Sequence, residues 1–208
     1  MLLDFSMMDR RTAYFWMAST IAPRPVAWVS SMSTAGVVNL APFSFFQMIT
    51  PQPPTLMICP QHNGDGSLKD TARNIRDTGE FVVSLVSHPM VELMNATSFS
   101  FDAGTSEFDS VGVEAAASQV VAPPRVGAAP MSFECRVSAF TPYPTERPTC
   151  SIILGEVVAA FADPAIVGAD GIVDPRRLDL VSRMGADWYG RTKSQDNFSL
   201  QRPTGWAR

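Results

Sequence analysis

The sequence has little charge, and this shortage argues against two classes of protein. Only 17% of the 208 residues are charged and 46% are hydrophobic, whereas an average soluble domain has about 25% charged residues. Such a composition predicts a folded chain and not a disordered one. Sixteen Lys and Arg against twenty Asp and Glu give a net charge of −4, which leaves no basic field for sequence-independent nucleic-acid binding. We therefore expect no nucleic-acid partner.

Long uninterrupted hydrophobic runs are also missing. No Asp, Glu, Lys or Arg occurs in residues 25–64, but Pro, Ser, Thr and amide residues interrupt this segment too often for a membrane-spanning helix. Asp4 and Asp9 lie where a signal peptide would carry a basic region. We expect neither a membrane partner nor secretion.

Cysteine is scarce. Cys59, Cys135 and Cys150 are odd in number, widely spaced and without a CxxC pair. This pattern suggests neither a disulfide framework nor a thiolate metal site. The sequence predicts a cytoplasmic protein without a bound metal.

The common catalytic motifs are absent as well. The chain has only His62 and His88, and it lacks GxSxG, HExxH, the GxxxxGK[ST] phosphate loop and the GxGxxG dinucleotide motif. A Cys or Ser nucleophile assisted by His62 remains an alternative, although nothing in the sequence brings such groups together.

Strand signals dominate the pattern that is present. In the segment 132–140, apolar residues at positions 133, 135, 137 and 139 alternate with polar residues at 134, 136 and 138, as in a half-buried strand. Further strands are predicted at residues 26–31, 37–40, 43–49, 56–59, 81–86 and 151–161, with a short one at 172–173. Helices are predicted at residues 11–19, 70–78 with Gly79 as terminator, 90–97 and 175–182.

These elements predict a mainly β fold with peripheral helices. Short strands separated by turns favour a barrel over a doubly wound parallel sheet. We expect a single domain over residues 1–208, with a C-terminal extension from about residue 175.

The segment GDGSLKDTARNI carries an unusual helix start. Lys69 begins the predicted helix, where its charge opposes the positive end of the helix dipole. A bound anion would reconcile the two, because free backbone N–H groups, the Lys69 ammonium and the hydroxyls of Ser67 and Thr71 make a phosphate-sized cradle. Asp70 is then the N-cap or lies in the first turn. A surface loop with a solvated lysine is the equally weighted alternative.

The uncharged segment before this helix has the composition expected of a surface that binds a cofactor. Hydroxyl and amide side chains alternate there with apolar ones, as a flat ring with polar edges requires. On composition alone, a plain hydrophobic core remains the favoured alternative.

Taken in order, the motifs resemble those of the flavin reductase-like family of FMN-binding split barrels. The resemblance is carried by PRPVAWVSS, NLAPFSFF, KDTARNI, GEFVVSLV, PPRVGAAPMSFECRV, SIILGEVV and RMGADWYGRT. It implies a six-stranded Greek-key split β-barrel that forms a homodimer, with FMN near the subunit interface.

The same resemblance implies a set of cofactor-binding residues. The residues that would contact FMN are Arg24, Pro25, Ser30, Ser31, Asn39, Ala41, Ser44 and Phe45. The residues that would surround its phosphate are Ser67, Lys69, Asp70 and Thr71. Tyr189 and Arg191 would approach the site from the C-terminal segment.

The implied activity is an NAD(P)H-dependent FMN oxidoreductase. Hydride would pass from NADH or NADPH to flavin N5, and reduced flavin would be supplied to a partner monooxygenase or another electron acceptor. Because the two cofactors carry the chemistry, no catalytic side chain is expected. A flavoredoxin-like electron-transfer protein, an FMN-dependent enzyme acting directly on a small organic substrate, and a binding module without turnover are the alternatives.

Overall fold

The computed structural model describes residues 1–102, 104–193, 195, 197–201 and 203. Its strands are β1 (Arg24–Pro25), β2 (Ala27–Met32), β3 (Val38–Phe43), β4 (Phe46–Pro51), β5 (Pro54–Ile58), β6 (Glu80–Leu85), β7 (Ala115–Ala116), β8 (Arg125–Val126), β9 (Met131–Tyr143), β10 (Cys150–Ala162), β11 (Val181–Gly185) and β12 (Trp188–Arg191). Its α-helices are α1 (Arg10–Thr20), α2 (Asp70–Thr78), α3 (Val91–Ala96) and α4 (Glu107–Val111). Short 3₁₀ turns occur at Phe5–Met7, His88–Met90 and Pro164–Ile166.

Seven strands form one antiparallel sheet in the order β3-β2-β6-β9-β10-β5-β4. All seven longer strands predicted from the sequence lie in it. β3 and β4 are the two ends of this order, although only Ser44 and Phe45 separate them along the chain. The sheet is therefore interrupted between two strands that are consecutive in sequence.

Strand β2 is buried on both faces. Trp28 packs into a cluster with residues of α3 and α4, whereas Ala27 and Val29 face the opposite cluster, which includes Phe81. The buried Trp28 indole donates to the Thr97 hydroxyl at 2.9 Å, so its polar atom is satisfied. Because both faces of β2 are covered, the strand is an almost continuous run of buried residues without alternation.

Three predicted helices are confirmed. α2 has the predicted bounds and ends at Gly79, whose φ of 74° is the left-handed conformation that a helix C-terminus favours. α1 is one residue longer at each end than predicted, and the helix predicted at 90–97 is α3, preceded by a 3₁₀ turn. α4 was not predicted.

The helix predicted at 175–182 is wrong. The Asp174 side chain accepts from the Arg176 N–H at 3.0 Å and fixes a turn there, and Val181 then enters β11. The Val181 N–H donates to the Val86 carbonyl at 3.0 Å, so long-range pairing overrides the local helical pattern. The short strand predicted at 172–173 is reduced to a single bridge between Val173 and Val167.

A second sheet, β1-β11-β12, joins the C-terminal segment to α1. Gly185 in β11 approaches the α1 backbone so closely that a Cβ atom there would lie 2.8 Å from Ser19 Cα. No described helix has the length and apolar character needed to cross a membrane.

Candidate functional site

The site is built on the N-terminus of α2. Lys69 occupies the N-cap position without a side-chain capping bond, and Asp70 lies in the first turn, where it pairs with Arg73. Among the described residues, the backbone N–H groups of Asp70, Thr71 and Ala72 have no hydrogen-bond acceptor. The helix therefore presents unsatisfied donors and the positive end of its dipole next to a lysine side chain.

A cavity of about 330 Å³ opens at this helix end. Its wall is formed by Asn39, Ala41, Pro42, Phe43, Asn63, Lys69, Asp70, Thr71, Thr97, Ser98, Phe99, Ser100, Phe101 and Glu107. Five of the predicted cofactor-binding residues, Asn39, Ala41, Lys69, Asp70 and Thr71, are thus brought together by β3 and α2.

A buried hydrogen-bond network lines one side of the cavity. The Thr71 hydroxyl donates to Asn39 Oδ1 at 3.3 Å, and Asn39 Nδ2 donates to Glu107 Oε1 at 3.1 Å. The second Glu107 oxygen accepts from the Leu40 N–H at 2.8 Å. Burial raises the pKa of Glu107, and the bonds from Leu40 and Asn39 oppose that shift.

Sequence reasoning missed Glu107. It begins a five-residue helix and meets β3 only through contacts 67 and 68 residues apart in sequence. A single acidic residue at a short helix start is ordinary, so no local signal distinguishes it.

Ser30 and Ser31 lie inside the sheet and not on the cavity wall. The Ser30 hydroxyl donates to the Pro124 carbonyl, and Ser31 Oγ accepts from Asn74 Nδ2 at 3.3 Å. Both serines are buried. In this arrangement Ser31 holds α2 against β2.

Ser67 belongs to the exposed loop that precedes α2. Its hydroxyl donates to Asp65 Oδ1 at 2.7 Å and accepts from Asn63 Nδ2 at 3.0 Å. Asn63, but not Ser67, lines the cavity.

Arg24 connects α1 to the interruption of the main sheet. Its Nη1 donates to the carbonyls of Ala18 and Ile21 at the end of α1, and its Nε donates to Ser44 Oγ at 3.5 Å. The guanidinium carbon lies 5.9 Å from the Phe45 ring centroid. Burial lowers the pKa of Arg24. Arg24, Ser44 and Phe45 thus form one group at the gap between β3 and β4.

Pro25, Tyr189 and Arg191 lie in the C-terminal sheet, away from the helix end. Pro25 and Arg191 line a groove of about 350 Å³, and Arg191 pairs with Asp179. Tyr189 lines a different groove, and the Arg183 guanidinium lies 4.6 Å from its ring centroid. In the single chain these residues do not reach the cavity at α2.

A Ser–His pair does occur, but it is buried. His62 Nε2 lies 2.9 Å from Ser151 Oγ, and His62 Nδ1 lies 3.1 Å from the Pro148 carbonyl oxygen. A carbonyl only accepts, so Nδ1 donates to Pro148 and Nε2 accepts from the Ser151 hydroxyl. Because Ser151 has no exposed surface, a substrate cannot reach it. The pair joins two chain segments and does not form a nucleophilic site.

Cys59 and Cys135 are equally unsuited to nucleophilic chemistry. Burial raises the pKa values of Cys59 and Cys135 to about 12, whereas a reactive thiol needs a lowered pKa. Among the described residues, no cluster of three or more His, Cys, Asp or Glu side chains could hold a metal ion.

The cavity fits an anionic ester that also carries hydroxyl groups. Free N–H donors and Lys69 suit a phosphate. The neutral side chains of Asn39 and Thr71 suit hydroxyl groups next to it.

Comparisons with known proteins point to one family. The flavin reductase like domain matches residues 17–172. The structure is similar to nitrilotriacetate monooxygenase component B from Bacillus cereus, with 27% identity and a TM-score of 0.89 over 96% of this chain and 99% of that one. It is also similar to 2-nitrobenzoate 2-nitroreductase from Pseudomonas fluorescens, with 27% identity and a TM-score of 0.88 over 100% and 99%.

A third comparison concerns the fold alone. A protein with a split barrel domain from Shewanella frigidimarina is 19% identical and has a TM-score of 0.83 over 98% of this chain and 100% of that one. The predicted mainly β split barrel is confirmed. Its main sheet has seven strands where the resemblance implied six.

Proposed function

Because the chain belongs to the flavin reductase like domain family, we propose that it binds FMN and catalyses the reduction of flavin by NADH or NADPH. The observation that carries this proposal is the uncapped N-terminus of α2 beside Lys69, which opens into a cavity. The family match and the geometry of the helix end both support a phosphate-bearing cofactor.

In this proposal the residues at α2 bind the phosphate of FMN. The N–H groups of Asp70, Thr71 and Ala72 donate to phosphate oxygens, and Lys69 supplies the balancing charge. Asn39 and Ala41, the predicted contacts in β3 that line the cavity, orient the ribityl chain and the ring. Ser67, which is predicted to surround the phosphate, supports the loop before α2 through its bonds with Asp65 and Asn63. Ser30 and Ser31 serve indirectly, since their side chains are buried and partnered within the fold.

The chain needs no acid or base of its own for this reaction. When bound, FMN supplies a ring that accepts a hydride and gives up electrons. The task left to the protein is to place the nicotinamide and the ring next to each other and to restrict water. The uncharged segment of residues 25–64 suits that task, because it places no competing charge near the ring.

We propose that the reduced flavin is supplied to a partner monooxygenase. This follows from the likeness to a monooxygenase component B at 27% identity. A second candidate is direct reduction of a small organic substrate, which the equally close likeness to a 2-nitroreductase favours.

We also propose a homodimer in the cytoplasm. The middle of α1 is apolar, but the helix buries only Ala18 and leaves Tyr14, Phe15, Trp16 and Met17 exposed by 38–50%. These four side chains are consecutive and spread around most of the helix circumference, and an exposed apolar surface of this kind marks an interaction site. A second copy covering it would account for the exposure and would bring new residues towards Arg24. Three free cysteines suit a reducing compartment.

The experiment is anaerobic mixing of flavin-reconstituted protein with NADH and, separately, with NADPH. Bleaching of the oxidised-flavin absorbance is expected with at least one nucleotide, at a rate that free FMN without protein does not reach. Bound flavin that stays oxidised with both nucleotides would refute the reductase function.

A second stage of the same experiment separates the two candidates. A nitroarene is added to the reduced protein before oxygen is admitted. Reoxidation of the flavin by the nitroarene would favour direct substrate reduction. Flavin that stays reduced until oxygen or a monooxygenase is added would favour the supply of reduced flavin.

A further inference from the structure

Glu107 is a buried carboxylate that has no role in the proposed hydride transfer or phosphate binding. Only 8% of its surface is exposed, yet it lines the cavity at α2. Its two oxygens accept from the Leu40 N–H at 2.8 Å and from Asn39 Nδ2 at 3.1 Å. Both neighbours direct an N–H group at it, which is the arrangement that an ionised carboxylate requires.

This requirement fixes the orientation of the Asn39 amide. With Nδ2 directed at Glu107, Oδ1 is directed the other way, where it accepts from the Thr71 hydroxyl at 3.3 Å. A carbonyl oxygen has two lone pairs, and Thr71 uses one of them. The cavity wall therefore carries a fixed acceptor beside the cationic end of α2.

We propose that Glu107 is a positioning residue that, through Asn39, builds a hydrogen-bond acceptor for the hydroxyl groups of the ligand's polyol chain. The inference rests on the proposed binding of FMN, whose ribityl chain joins the ring to the phosphate. A buried site built to bond a hydroxyl discriminates strongly against a ligand that lacks one. Glu107 thus acts on ligand selection without touching the ligand.

The first variant is Glu107→Gln, titrated with FMN, riboflavin and lumiflavin. Glutamine offers one acceptor and one donor. The Leu40 N–H is held in place by the β3 backbone and donates to the side-chain oxygen of the glutamine. The NH₂ group of the glutamine therefore faces Asn39. The Asn39 amide must then turn over and present N–H groups to the cavity. We expect FMN and riboflavin to bind about tenfold more weakly, whereas lumiflavin, which has no ribityl chain, binds as to the wild type.

The second variant exchanges the carboxylate of residue 107 and the amide of residue 39. Asn39→Asp combined with Glu107→Gln moves the carboxylate to position 39 and keeps the net charge and the side-chain sizes. One carboxylate oxygen then accepts from the glutamine, and the other again offers an acceptor beside Thr71. Riboflavin affinity should return to within about threefold of the wild-type value. Riboflavin is the ligand for this rescue because it has no phosphate for the relocated charge to repel.

Three results would overturn the inference. They are unchanged riboflavin binding by Glu107→Gln, an equal loss for lumiflavin, and no recovery in the double variant. Thermal unfolding checks that each variant is folded, and if Glu107→Gln alone does not fold, the double variant decides by its riboflavin affinity. A wild-type protein that binds none of the three flavins would refute the proposed function as well.

Discussion

Replacing Lys69 by methionine tests the phosphate site most directly. Methionine keeps an unbranched stem and removes the charge. Lys69 is exposed, makes no capping bond, and has no ion pair with any described residue. Its loss should therefore not destabilise α2, because a positive charge at the start of a helix is unfavourable.

The size of the effect follows from the chemistry of the contact. A hydrogen bond from a charged group contributes about 1.5–3 kcal/mol, and exposure to solvent and salt places this one at the lower end. FMN should bind about tenfold more weakly to Lys69→Met, which is about 1.4 kcal/mol. Riboflavin, which lacks the phosphate, should bind as to the wild type.

The assay is a titration of flavin fluorescence at low and at high salt. The chain has one other lysine, Lys193, in the C-terminal segment, and Lys193→Met is the matched control for the loss of one positive charge. The FMN deficit of Lys69→Met should shrink at high salt, because screening already weakens the wild-type contact. Equal losses for FMN and riboflavin, or an FMN loss as large in Lys193→Met, would refute the assignment of the phosphate to this helix end.

Two further outcomes are expected. Phe15→Asp places a charge within the exposed apolar part of α1 and should convert a wild-type dimer into a monomer in sedimentation experiments; a wild-type monomer would contradict the proposed interface. Gly155→Ala should lower the free energy of unfolding in urea by about 1–3 kcal/mol, since the new Cβ would lie 2.4 Å from Phe81 Cζ. Gly64→Ala, with nothing within 4 Å of the added atom, is the control, and equal stability of the two variants would contradict the packing argument.

The parts of the fold that were predictable depend on neighbours in sequence. The bounds of α2 follow from the helix start at Lys69 and from Gly79. Gly79 ends the helix because glycine adopts the left-handed backbone conformation without steric cost. The seven long strands follow from apolar patterning and turn residues. Lys69, Asp70 and Thr71, which form the proposed phosphate site, could be grouped from the sequence for the same reason, because a helix end brings its own N–H groups together.

The parts that were not predictable depend on contacts between distant segments. Residues 175–182 carry a helical pattern, but Ser182 pairs with Pro25 and draws the segment into a sheet. Glu107 joins the site only because α4 packs on β3. One sequence interpreted without an alignment of relatives contains no signal for either contact.

The interruption of the main sheet explains how a surface on α1 is linked to the cavity. Phe43 ends β3 and lines the cavity, and Ser44 follows it in the gap before β4. Ser44 accepts from Arg24, which donates in turn to the Ala18 carbonyl of α1. A continuous series of covalent and hydrogen-bonded steps therefore joins the proposed dimer surface to the proposed flavin site. Because a buried guanidinium that loses a partner pays a large desolvation cost, we expect a change in the position of α1 to move Arg24 and Ser44 together. Assembly of the dimer and retention of the flavin should accordingly be coupled, and equal flavin affinity below and above the protein concentration at which the dimer forms would contradict this link.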